Sequence, residues 1–147
     1  MSSLNRNRKA YHNYEVLETF EAGIVLQGTE VKSCRAANIS LNDAYARVDQ
    51  EEAWLYNAHI GLYPYGNMNN HEPMRPRKLL LHRREIRKLR TATEQKGLAL
   101  IPLSFYLKRG RIKVGLGLCR GKSHGDKRET LKKRQADRDI RRAMKQQ

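Results

Sequence analysis

The sequence predicts a mainly β protein built as a small antiparallel β-barrel with a basic C-terminal tail. Three observations predict it. About six short apolar or alternating runs are separated by turn residues. One segment, residues 83–95, has helical periodicity with a clear stop signal. The composition changes abruptly at Arg120, after which aromatic residues vanish. Closing the sheet into a barrel would remove edges that otherwise invite aggregation.

Residues 1–10 are polar and basic, with Arg6, Arg8 and Lys9, and read as an arm that is mobile until it meets a partner. Tyr14 to Phe20 reads as a strand. Glu21-Ala22-Gly23 is a tight connection to a second strand, Gly23 to Gln27. A short helix follows over residues 30–36, with Thr29 as a cap and Glu30 in the first turn, where the helix dipole favours a negative charge. Ala44 to Asp49 and Ala53 to Ile60 form a hairpin around a polar turn. Gly61 to Arg77 contains Pro64, Pro73 and Pro76 and is a long loop, of a length that is usually functional or disordered.

Lys78 to Leu81 is a short apolar segment. The helix from Arg83 to Gln95 ends at Gly97. It turns His82, Ile86, Leu89 and Thr93 to one side and Arg83, Arg84, Arg87 and Lys88 to the other. Leu98 to Leu107 and Ile112 to Cys119 are strands joined by Lys108-Arg109-Gly110-Arg111. Gly115 and Gly117 inside the last strand fit close backbone approach or barrel curvature.

The 147 residues therefore divide into a barrel domain, 1–119, and a tail, 120–147. The tail has eleven Lys and Arg against four Asp and Glu, and no continuous apolar strip. Glu129–Lys133 and Asp137–Arg141 have the acid-first spacing that supports a helix. Such a helix is marginal alone, so the tail is expected to be disordered when free and helical against a polyanion. The whole chain carries a formal charge of +15, which favours nucleic-acid partners.

Catalytic and metal-binding classes find little support. There is no GxSxG, and neither Cys34 nor Cys119 has a neighbouring His. The five histidines lack metal-ligand spacing, no Gly-rich loop matches a phosphate cradle, and Asp49, Glu51 and Glu52 fall on a turn. The two distant cysteines read as free thiols in a reducing compartment. The first thirteen residues lack a signal-peptide centre, and the longest apolar run, Leu98 to Leu103, is too short to cross a bilayer. A cytoplasmic, non-enzymatic protein without cofactor or metal is expected.

Basic residues gather at 6–9, 32–35, 75–78, 83–90, 108–113 and 120–145, interleaved with Glu30, Ser33, Asn67, Asn69, Asn70, His71 and His82. Small barrels bind structured RNA through such faces. Glu30 is the sharpest candidate. Beside Lys32, Ser33 and Arg35 it could accept hydrogen bonds from a base edge while its neighbours hold phosphates.

Several motifs resemble one family. They are Glu21-Ala22-Gly23-Ile24, Gly28-Thr29-Glu30-Val31-Lys32-Ser33, Asn57-Ala58-His59-Ile60, Gly66-Asn67, Asn70-His71-Glu72-Pro73, Arg77-Lys78-Leu79-Leu80-Leu81-His82, Gly121-Lys122 and Asp126-Lys127-Arg128-Glu129. In this order they are similar to the small protein B (SsrA-binding protein) family, over about Asn7 to Arg142. The resemblance implies an OB-like barrel with about three helices and a monomeric partner of transfer-messenger RNA. It implies delivery of that RNA to stalled ribosomes for trans-translation, with the protein standing in for the missing anticodon half of a tRNA. It also implies RNA contacts at Glu30, Lys32, Ser33, Arg35, Leu80, His82 and Lys113, with Asn7, Arg8, Lys9, Asn67 and Asn70 as further ones. In the tail it implies that Lys122, His124, Asp126, Lys127, Arg128, Lys132, Lys133, Arg134, Arg138 and Arg141 meet the decoding centre and empty mRNA channel. His124 stands one place before the family's usual His or Tyr, which here is Gly125. A ribosomal protein with a basic extension and an RNA-processing enzyme remain as alternatives.

Overall fold

The computed structural model describes residues 2–66 and 69–122. Asn67 and the tail residues from His124 onward lie outside the described residues. The elements are β1 Ser2–Arg6, α1 Arg8–Asn13, β2 Tyr14–Ile24, α2 Gly28–Arg35, β3 Ile39–Ser40, β4 Tyr45–Asp49, β5 Glu52–Tyr56, β6 His59–Ile60, β7 Arg77–Leu80, α3 Arg83–Gln95, β8 Ala99–Lys108 and β9 Arg111–Gly121. The main sheet is antiparallel, in the order β1-β8-β4-β5-β7-β2-β9, and β8 also pairs with β9. Six strands thus form a ring, closed between β4 and β8 by the single pair Ala46–Leu100. The other end of that β8 edge carries β1, where Arg6 pairs with Ser104. Strands β3 and β6 form a separate small ladder.

Period-2 alternation puts Ala22, Ala53, Leu55, Leu79, Phe105, Val114 and Leu116 inside the ring, all essentially inaccessible to water. Strand β8 is buried on both faces. Phe105 enters the ring, while Ile101 and Leu103 join Ala10 of α1 and Cys119 in a second cluster. That double burial explains the uninterrupted apolar run Leu98–Leu103, which a half-exposed strand would not need.

Four expectations are corrected. Residues 2–13 are ordered as β1 and α1 rather than a mobile arm, because a strand added to the β8 edge is held by backbone hydrogen bonds and needs few apolar side chains. Tyr14 to Ile24 is one strand: Ala22 is fully buried and Gly23 stays in register with Lys113, so Glu21-Ala22-Gly23 is no turn. The return strand stops at Tyr56, because Asn57 takes a left-handed φ of 61° before β6 begins. Finally, β9 runs on to Gly121, opposite Tyr14, so the sheet continues past the composition change at Arg120.

Helix α3 has the bounds expected from its periodicity. It buries Ile86, Leu89 and Ala92, and Gly97 follows with φ +66°. Its first turn is closed by Glu85, whose carboxylate accepts from the His82 N–H at 3.1 Å. Arg109 and Gly110 both have positive φ, 52° and 74°, as a two-residue type I′ hairpin loop requires.

Candidate nucleic-acid interface

Strand register builds one row across four strands. Tyr106 pairs with Lys113, Lys113 with Gly23, and Gly23 with Leu80. Residues paired in this way share a face of the sheet. Leu80 is 52% exposed, large for an apolar side chain on a strand. A Cβ at Gly23 would stand 3.2 Å from the Leu80 Cβ, so glycine lets Leu80 lie across β2. His82 lies two residues beyond Leu80, exposed at the start of α3. Arg35 is exposed at the end of α2 and donates to the Gly110 carbonyl at 3.4 Å, tying α2 to the β8–β9 hairpin. Lys32 is exposed one turn earlier on α2. The structure therefore brings Leu80, His82 and Lys113 close through neighbouring strands, and links Arg35 to the same hairpin.

Glu21 is the carboxylate beside the row. It accepts from the Tyr106 hydroxyl at 2.7 Å and from Lys108 at 3.2 Å. Those two hydrogen bonds, with the charges of Lys108 and Lys113, hold its carboxyl below the usual range, and burial with the same bond pushes the Tyr106 phenol up. The charge of the acid is thus paired with Lys108 within the surface.

Glu30 occupies a different place from the one expected. Its side chain is fully buried. One carboxylate oxygen accepts from Arg75 and from the Gln27 N–H, at 2.6 and 2.7 Å; the other accepts from Arg77 Nε at 2.6 Å. Burial raises its carboxyl, but the bonds from Arg75, Gln27 and Arg77 outweigh that and hold it below the ordinary carboxylate range. Burial lowers Arg77, yet a guanidinium starts so high that it stays charged. Arg77 is itself fully buried and also donates to the Ala58 and Pro73 carbonyls, at 2.6 and 3.0 Å. Fully buried, with Arg75, Arg77 and the Gln27 N–H on its two oxygens, Glu30 presents no open edge to a base, which corrects the expectation that it reads one.

Three more expected contacts have side chains engaged within the fold: Ser33 and Asn7 are buried, and Asn70 is half-buried. Ser33 is buried beside Glu30 in α2. Asn7 is buried as the cap of α1, accepting from the Ala10 N–H and donating to the Leu41 and Pro102 carbonyls. The Asn70 amide is committed to the loop, accepting from the Tyr63 N–H at 3.1 Å and donating to its carbonyl at 2.6 Å. Arg8 and Lys9 are exposed on α1, which ends where β2 begins. Tyr14 is nine residues from Gly23, roughly 30 Å along the strand, so these two cations lie apart from the row. Lys9 instead faces Asp43 at 3.3 Å.

Sequence reasoning placed His71 among RNA readers and Thr29 at a helix cap, but both fasten the loop 61–76 onto α2. His71 is buried between Thr29 and Ile60. A carbonyl can only accept, so Nε2 donates to the Ile60 carbonyl at 2.8 Å, while Nδ1 and the Thr29 hydroxyl share a second hydrogen bond at 2.8 Å. Thr29 is therefore a loop anchor; Gln27 is the N-cap of α2. Arg75 and Arg77 complete the fastening. The one available signal was a carboxylate of α2 in a strongly basic chain, which invites an arginine partner.

No helix among the described residues is long and apolar enough to cross a membrane, and no group of three or more His, Cys, Asp or Glu among them could hold a metal ion. The sequence matches the model of the SmpB protein family over residues 4–146. An SsrA-binding protein of Thermosynechococcus vestitus is 57% identical over 144 residues, covering 97% of this chain and 95% of the relative. Another, of Ligilactobacillus salivarius, is 52% identical over 98% of this chain and 93% of the relative. A solved chain described as "tmRNA-SmpB: a journey to the center of the bacterial ribosome" superposes with a TM-score of 0.71 at 48% identity, covering 86% of this chain and 93% of that one. With a family model spanning nearly the whole sequence and relatives above half identity along nearly all of their length, this chain belongs to the SmpB protein family.

Proposed function

We propose that this protein binds transfer-messenger RNA and works with it on stalled ribosomes in trans-translation, as a cytoplasmic, monomeric, non-enzymatic factor. The observation that carries the reading is the Tyr106–Lys113–Gly23–Leu80 row with His82 and Arg35 beside it. An exposed leucine flanked by cations and a histidine suits an RNA surface that offers phosphates and unstacked bases together. In this reading the near-closed ring is an OB-like barrel, and Lys32, Arg35, Leu80, His82 and Lys113 touch the tRNA-like part of the RNA. Glu30 and Ser33 serve it from beneath, Glu30 by holding Arg75 and Arg77.

The tail has a separate task. Lys122, the last described residue, donates its N–H to the Asn13 carbonyl at 3.2 Å, so the chain leaves the barrel beside α1, away from Gly23. A basic segment departing there can reach the decoding centre and mRNA channel while the row keeps its RNA. His124, Asp126, Lys127 and Arg128, with the cations up to Arg141, carry that contact in this proposal.

The test begins with RNA that co-purifies with the chain, which should be one small stable species, transfer-messenger RNA, once ribosomes are removed by high salt. Lys113→Ala should weaken binding and lower the slope of log affinity against log salt by about one. Deleting residues 123–147 should spare RNA binding and abolish tagging of nascent chains. Absence of transfer-messenger RNA from the purified protein, with no affinity in direct titration, would refute the reading.

A further inference from the structure

Tyr65 is 80% exposed, far more than any other large hydrophobic side chain among the described residues. It sits at the tip of a turn, Tyr63-Pro64-Tyr65-Gly66, closed by the Gly66 N–H donating to the Tyr63 carbonyl at 2.9 Å. Pro64 at the second position favours this turn. The turn is also held from below. Asn70 brackets the Tyr63 backbone from both sides. A Cβ on Gly66 would come within 2.6 Å of the Asn70 amide and 3.1 Å of Thr29, so only glycine permits this seat.

The Tyr63 ring is already occupied. Lys32 Nζ stands 5.2 Å from its centroid, and Tyr65 meets it edge-on at 5.6 Å with the planes 70° apart. Tyr65 is thereby steadied by a neighbour while most of its own surface remains open. An exposed ring on a fixed turn has little to do for folding, because its burial is slight. It is well suited to receive another flat group, since few degrees of freedom are lost on contact.

We propose that Tyr65, backed by Tyr63 and Lys32, is a stacking site for an unpaired nucleobase of the bound RNA. The inference rests on the RNA-binding reading and adds a contact to it. Every base offers a π-face, so the site tolerates any base and selects for an unpaired one. Lys32, within reach of the same ring pair, supplies a cation for the phosphate of that nucleotide. A protein partner could also use an exposed tyrosine, but the neighbouring charge is Lys32, with Arg35 one turn further, which favours a polyanion.

The experiment titrates transfer-messenger RNA against wild type, Tyr65→Ala, Tyr65→Phe and Tyr65→Trp in the full chain. Tyr65→Ala should lose roughly tenfold or more in affinity, the scale of one base–aromatic stack, while Tyr65→Phe stays near wild type. Tyr65→Trp should bind, and its added emission, read against the Trp54 background of the wild type, should be quenched by RNA. Unchanged affinity in Tyr65→Ala together with unquenched Tyr65→Trp would overturn the stacking site, whether or not ribosome function fell, since a fall would then place a protein on Tyr65. Failure of the wild type to bind the RNA would instead overturn the functional reading beneath it.

Discussion

Replacing Glu30 by alanine separates a buried brace from a reader of RNA by what is lost, stability or affinity. In Glu30→Ala the Arg77 guanidinium, fully buried, keeps its carbonyl partners but loses its counter-charge. Breaking a buried ion pair from one side costs about 3–5 kcal/mol, because a charge is left uncompensated away from water. No discount for solvent applies, as neither partner is exposed. Arg75 is 29% exposed, so its bond to Glu30 is screened and contributes about 1 kcal/mol or less. The Gln27 N–H loses its acceptor as well, at about 1 kcal/mol. Against a total stability of about 5–15 kcal/mol the change is large. Urea unfolding followed by Trp54 fluorescence measures it, and Glu30→Gln, which keeps an acceptor, should lose less. A Glu30→Ala chain destabilised by under about 1 kcal/mol, yet weakened for transfer-messenger RNA by about 1–3 kcal/mol, would refute the brace and restore Glu30 as a base reader.

Three further outcomes are expected. Glu30 is held below its ordinary value of 4.5, so its stabilisation is complete above that pH and is lost as pH falls through the lower folded value; acid unfolding of Glu30→Gln should lack that component. Gly23→Val should displace Leu80, whose Cβ would lie 3.2 Å from a Cβ at position 23, and lower RNA affinity while costing about 1–3 kcal/mol of stability by overpacking; equal affinity would remove Leu80 from the interface. Burial pushes the Cys34 thiol up to about 12 and the Cys119 thiol up to about 11, so neither should react with iodoacetamide in the folded chain at mildly alkaline pH; mass spectrometry should find both modified only after unfolding.

Legibility in the sequence followed the range of the interactions. Helix α3 was legible because its periodicity and Gly97 are local, and the β8–β9 hairpin because Arg109-Gly110 marks its turn. β1 was not, since residues 2–6 are mostly polar and what orders them is the backbone of β8, about a hundred residues away. Glu21-Ala22-Gly23 misled because a glycine that permits close approach has the same letter as one that permits a turn; its reason, Leu80, lies on another strand. Leu80 and His82 stood in a family motif, Arg77-Lys78-Leu79-Leu80-Leu81-His82, whereas their closeness to Lys113 comes from strand register that no local pattern carries. The burial of Glu30 was not, because composition makes a lone carboxylate look available until Arg77, 47 positions on, is seen to claim it.

The buried ions also explain why the loop 61–76 is fastened with charge when apolar packing would hold it as well. A buried pair adds little net stability over well-packed apolar residues. What it adds is position: Arg77 fits Glu30 in one geometry, with Ala58 and Pro73 carbonyls on its other donors. His71 on Thr29 pins the middle of the loop to the same helix, and Asn70 pins its start. Helix α2, which carries Lys32 and Arg35, and the turn that carries Tyr65 are thereby held as one body. Arg35 then joins that body to the hairpin leading to Lys113. In the proposed interface, a surface assembled from three elements would meet RNA already ordered, with no free energy of contact spent on ordering it.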